Sequence, residues 1–180
     1  FRGSSTYIQK SMMAFIIAEI VHNAGFLLEM YARTREEAMV AVKMEYLGSS
    51  LVAILFMMFI VGYCGKKANV WFERVLLLCG CAVIVMVWSG DYHELYYTSV
   101  EFVEAGIYPH IKLSYGPGFY FYFLTCTVIP WVTAVITLVA AIRREKSSKR
   151  IRKLSIIMGG ACFSLSVLVL YLLGIFWEGY

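Results

Sequence analysis

Five long runs of apolar residues, 11–32, 44–64, 75–92, 119–142 and 154–177, limit what this chain can fold into. At roughly 1.5 Å per residue, about 20 helical residues cross the hydrocarbon of a bilayer, which is the length of these runs. Of the 180 residues 61% are hydrophobic and 16% charged, so the chain lacks the charged surface of a domain that folds in water. The pattern predicts an all-α membrane protein: a polytopic transmembrane helix bundle of about five helices in one domain over residues 1–180, with a structured extracytoplasmic loop. Helices are expected at about 11–32, 35–64, 71–95, 117–142 and 152–177, and the outer loop at 93–116. The third apolar run is the shortest. Its helix is therefore expected to continue past Asp91, which sets Asp91 and His93 near headgroup depth. Phe1 and Tyr180 look like cuts through a longer protein, and no cleavable leader precedes the first run.

Loop charge predicts the orientation. Arg143, Arg144, Lys146, Lys149, Arg150, Arg152 and Lys153 crowd one short connection against Glu145 alone, which marks that connection as cytoplasmic. Alternation puts Arg2, Lys10, Lys66, Lys67 and Arg74 on the same side, so 12 of the 16 basic residues are inside. The net charge of +4 then reflects membrane orientation, and no nucleic-acid partner is expected. Thr34 and Glu37 have the spacing of a capping box, which starts the second helix on the outer side. The outer connection carries Asp91, Glu94, Glu101 and Glu104 against Lys112, and apolar and polar residues alternate on either side of Ala105 and Gly106. A small hairpin or ordered lid is expected there.

Two groups of residues are candidates for chemistry. On the first helix Glu19, His22, Asn23 and Glu29 fall within about 120° of one another. Glu19 sits near mid-membrane, where an ionised carboxylate costs at least ~2.5 kcal/mol, so it is expected to face protein or water. These groups either form a ligand or proton site or fix helix packing by hydrogen bonds. At the outer end of the third helix, Asp91, His93 and Glu94 follow Trp88. They either hold a polar ligand and sense pH or belong to an interfacial belt. The candidate ligand-binding set is Glu19, His22, Glu29, Asp91, His93 and Glu94, gathered in an outer-half pocket walled by aromatic residues 115–122 and capped by the hairpin. Pro130 is expected to kink the fourth helix, because it offers no donor to the Cys126 carbonyl. Cys64, Cys79, Cys81, Cys126 and Cys162 lie at no zinc or redox spacing, and three histidines suit no metal centre. No phosphate loop, zincin motif or nucleophile elbow is present, so no enzyme activity, metal or cofactor is expected of this chain.

Three short motifs point to a family. Ala24-Gly25-Phe26-Leu27-Leu28-Glu29, Thr34-Arg35-Glu36-Glu37-Ala38 and Lys43-Met44-Glu45-Tyr46-Leu47-Gly48 resemble the second helix, outer corner and third helix of the bacterial histidine kinase N-terminal seven-transmembrane region. His93-Glu94-Leu95-Tyr96-Tyr97 and Tyr115-Gly116-Pro117-Gly118 fit its pattern too, so the resemblance covers nearly the whole chain. It implies a multi-pass receptor of the bacterial inner membrane joined to a cytoplasmic histidine kinase or diguanylate cyclase. The family has seven helices with its N-terminus outside. Five helices with the N-terminus inside are what remains when the first and last are absent. The partners implied are the lipid bilayer, a small ligand, the missing helices and output domain, and a second copy of the chain as a homodimer. The function expected is sensory reception. The alternative is a small-solute or proton transporter or channel subunit, motivated by Glu19, His22 and Pro130.

Overall fold

A bilayer offers no partner to a free backbone N–H or C=O, so apolar runs of this length must close their hydrogen bonds internally, as helices. The computed structural model describes residues 2–66, 69–103 and 110–172. Helix α1 spans Arg2–Tyr31, α2 Arg35–Tyr63, α3 Val70–Trp88, α4 Pro117–Arg144 and α5 Ser148–Leu172. Among the described residues, α1 to α4 are long and apolar enough to cross a membrane. The chain is an all-α polytopic bundle. Residues 173–177 of the fifth expected helix, Lys67, and the hairpin turn with Ala105 and Gly106 lie outside the described residues.

Helix α2 is the centre of the bundle. It lies against α1 on one side and against α3 and α4 on the other, while α5 packs on α4. The core joins Val42, Tyr46, Ile54, Met57 and Ile60 of α2 to Leu76, Val83 and Val87 of α3, and to Cys126, Ala134 and Leu138 of α4. Between transmembrane helices the hydrophobic effect is spent, so close packing has to hold them. Small residues permit it along α1 and α2. A Cβ added at Gly25 would stand 2.3 Å from the Glu45 backbone nitrogen, and one at Gly48 2.3 Å from the Ala18 carbonyl oxygen. The opposite face of α1 is open to lipid: Ile20 is 63% exposed where Ala18 is 7% exposed.

The corner between α1 and α2 is tied by side chains. Thr34 Oγ1 accepts from the Glu37 N–H at 3.2 Å, and Glu37 Oε2 accepts from the Arg33 N–H at 2.8 Å. Strand β1 (Tyr97–Val103) pairs antiparallel with β2 (His110–Tyr115) and sets Glu101 opposite Lys112. The resulting hairpin rests Ile111 on Ala32 and Ala38 at that corner. Gly116 and Gly118 N–H groups bond the carbonyls of Tyr96 and Leu95 at 2.8 Å each, which ties the hairpin's stem to the start of α4.

One expectation needs correction, and the disruption expected at Pro130 takes a definite form. Helix α3 does not run on to residue 95 but ends at Trp88, followed by a 3-10 turn over Gly90–Tyr92. Ser89 Oγ bonds the Val85 carbonyl at 2.6 Å and so uses the helix's terminal acceptor, and Gly90 is a poor helix former. Around Pro130 the fourth helix widens into a π turn over Phe123–Val128. Proline has no N–H for the Cys126 carbonyl, and the ladder shifts instead, with the Ile129 N–H bonding the Leu124 carbonyl five residues back.

Candidate functional site

Side chains that face α2 from α1 must share the face of Ala18 and Gly25. His22 and Glu29 do, at three to four residue spacing, whereas Glu19 and Asn23 stand about 100° and more away round the helix. Glu19 is half-buried, and its carboxylate accepts a hydrogen bond at 3.2 Å from Asn23 of its own helix. Asn23 also bonds the Glu19 carbonyl at 2.7 Å. The polar stripe of the first helix is therefore split by packing.

His22 meets a residue that the charge pattern had placed in no site. Its Nδ1 lies 3.6 Å from Glu45 Oε1, with the two side chains 33% and 23% exposed. Glu29 acts electrostatically on Glu45, and both act on Tyr97. Tyr46 follows Glu45 on α2 and is the hub of an aromatic group. Its ring centroid is 5.1 Å from that of Tyr96, 5.4 Å from Tyr122 and 6.4 Å from Tyr97. Edge-on tyrosine pairs like these each contribute about 0.5–1.5 kcal/mol beyond the area they bury. Burial pushes the Tyr96 and Tyr97 phenols well above their ordinary range, so each keeps its proton.

Several polar atoms in this region have no hydrogen-bond partner among the described residues. They include His22 Nδ1 and the hydroxyls of Tyr96 and Tyr97, all buried. The two phenols approach the Tyr46 hydroxyl, but neither contact closes into a hydrogen bond of ordinary geometry. A buried polar group left unmet costs about 1–3 kcal/mol, so a cluster of them calls for water or a ligand.

Asp91, His93 and Glu94 belong to a different flank. Asp91 Oδ2 takes Lys43 Nζ at 2.5 Å, and Trp88 Nε1 donates to the Lys43 carbonyl at 3.2 Å. Lys43 and Glu45 are two residues apart, about 200° round α2, so these contacts face away from His22. His93 staples its own turn: Nδ1 accepts from the Leu95 N–H at 3.3 Å, and Nε2 lies 2.9 Å from Ser89 Oγ. Since Nδ1 accepts, Nε2 carries the proton and Ser89 passes its own to Val85. Glu94 is exposed. Of the six candidates, His22 and Glu29 come together with Glu45, Asp91 and His93 line the end of α3, and Glu19 stays on the edge of α1.

Glu45 was within reach of the sequence. It is a lone carboxylate at the start of an apolar run, and the reasoning that singles out Glu19 applies to it as well. The tyrosine cluster had no such signal, because Tyr46, Tyr96 and Tyr122 lie far apart along the chain. No group of three His, Cys, Asp or Glu residues could hold a metal among the described residues.

The family model described as the N-terminal 7TM region of histidine kinase matches residues 2–179. No curated protein and no solved structure matches the chain. With 4 membrane-spanning helices among the described residues and a match from end to end, this chain belongs to the N-terminal 7TM region of histidine kinases, a membrane-embedded sensor module that feeds a kinase.

Proposed function

We propose that the chain is the receptor part of a bacterial inner-membrane kinase and detects a small ligand, a cation or a hydrogen-bond donor, at the hairpin end of the bundle. The hairpin faces the outside and the 143–153 connection the cytoplasm, as the distribution of basic residues requires. The observation that carries this reading is three buried polar atoms around Glu45 and Tyr46, His22 Nδ1 and the Tyr96 and Tyr97 hydroxyls, that have no hydrogen-bond partner among the described residues. His22, Glu29, Glu45 and Tyr97 form the inner wall of the site. Asp91, His93 and Glu94 stand on the other flank of α2, apart from this wall, and Glu19 lies at the edge of α1. The acceptor-rich lining favours a donor or a cation, since carboxylates accept and do not donate.

A ligand at this place touches α1, α2 and the Tyr96–Tyr97 stem at once. Binding favours whichever arrangement of these elements gives the better contacts. Tyr122 abuts the π turn of α4, where the hydrogen-bond register is already shifted, so this helix can carry a change inward. The test is kinase output in the full-length parent carrying His22→Ala or Glu45→Gln. Each is expected to reduce the response to stimulus at least tenfold while basal phosphorylation persists. An unchanged response in both would place the site elsewhere. Orientation has its own test, in which an impermeant thiol reagent labels Ser99→Cys and spares Ser147→Cys in intact cells. The opposite labelling would invert the receptor.

A further inference from the structure

At the other end of the bundle, α2, α4 and α5 leave a cleft of about 300 Å³ lined by Cys64, Lys66, Arg144, Glu145, Arg150 and Leu154, among others. Its charges are unequal. Glu145 is committed to its own loop: Oε2 holds Arg150 Nε at 3.1 Å, and Oε1 accepts from the N–H groups of Lys146 and Ser147 at 3.1 Å each. Lys66 and Arg144 have no ion pair or side-chain hydrogen bond among the described residues. Two cations therefore line one opening with no anion assigned to them. Lys66 and Arg150 also both act on the Cys64 thiol, which burial pushes up against their pull.

The depth of the cleft indicates what can fill it. Tyr63 closes α2, Arg144 closes α4, and Leu154 opens the apolar part of α5, so the cleft sits where the hydrocarbon ends. Phosphates of lipid headgroups lie at that level. We propose that this cleft is a binding site for the headgroup of an anionic phospholipid, with Lys66 and Arg144 on its phosphate and its acyl chains alongside α4 and α5. The volume is at the low end of small-molecule sites, enough for a headgroup and too small for a whole lipid. Basic pockets between transmembrane helices suit such headgroups, and arginine meets a phosphate with two parallel donors.

Neither the ligand at the hairpin end nor the direction of signalling enters this inference. The test is lipid retention by the full-length protein purified in detergent, titrated with phosphatidylglycerol and with phosphatidylcholine and read by native mass spectrometry. Phosphatidylglycerol is expected to bind in preference. Lys66→Gln and Arg144→Gln should each weaken it roughly fivefold, and together about twenty-fivefold. The pair Arg152→Gln and Lys153→Gln removes the same charge from the same end of the bundle but lies outside the cleft, and should leave binding within about twofold. Equal losses in the two double variants would overturn the site, since overall charge would then account for binding. Displacement of the lipid by millimolar inorganic phosphate would overturn the assignment to a lipid and give the cleft to a soluble anion.

Discussion

At the hairpin end of the bundle, polar side chains of distant elements meet across the fold: His22 of α1 with Glu45 of α2, and Lys43 of α2 with Asp91 beyond α3. At the basic end most charges stay local. Glu145 is satisfied within its own loop, and Lys66 and Arg144 face an open cleft, although the Tyr7 hydroxyl does donate to the buried Glu73 of α3. The contrast shows where each end gets its order. Protein contacts between distant segments set the hairpin end, so a molecule that enters there must be felt by several elements. The basic end leaves charge for the membrane surface to neutralise.

The largest expected effect comes from prising apart the two helices that build the ordered end. Gly48→Leu places a side chain against the Ala18 carbonyl and the His22 backbone, where neither can yield without separating α1 from α2. We expect a loss of about 3 kcal/mol, read as a lower thermal midpoint of the purified full-length protein. Gly159→Leu on α5 is the matched control. A Cβ there meets nothing within 4 Å, and leucine is the better helix former, so stability should hold or rise slightly. If the two variants melt alike, the close approach of α1 and α2 is not what orders the hairpin end.

Much of this architecture was legible in the chain itself. Apolar runs located the helices because backbone satisfaction in lipid leaves so few alternatives. Alternation on either side of Ala105 and Gly106 located the hairpin, and the spacing of Thr34 and Glu37 located the start of α2. What stayed hidden depended on rotation and on partners. Glu19 and His22 are equally polar in sequence, and only the contact of Gly25 and Gly48 decides which of them faces α2. Trp88 ends α3 because Ser89 bonds back to Val85, a local choice that the apolar count does not see. Pro130 announced a disruption of α4 but not the π turn by which the ladder answers the missing donor. The division of the candidate site into two flanks follows from the 200° or so between Lys43 and Glu45, which matters only once the partner of each is known.

An intermediate effect is expected at the unmet hydroxyls. Tyr96 is fully buried, and its oxygen has no hydrogen-bond partner among the described residues, so Tyr96→Phe removes a cost without opening a cavity. Stability without added stimulus should hold or rise by up to about 1 kcal/mol, while the response of the parent kinase to its stimulus should weaken. A variant that loses more than that in stability would show the phenol bonded within the protein. The cluster would then be packing alone, and the two ends of the bundle would differ less than they do here.

The smallest effect belongs to the pair of Lys43 and Asp91, despite its short contact of 2.5 Å. Asp91 is 62% exposed, so water competes for it and screens the attraction, whereas Lys43 is 15% exposed and buries its stem against the protein. A double-mutant cycle of Lys43→Ala and Asp91→Asn separates the two contributions. The lysine variant should cost more than the aspartate variant, through lost packing, and the coupling between them should lie between about 0 and 1 kcal/mol and shrink at high salt. A coupling above about 2 kcal/mol that resists salt would mean that this flank is desolvated and holds the end of α3 in place. The hairpin end would then be ordered from both sides of α2, and a ligand beside Glu45 would have to work against that second clasp to move α3.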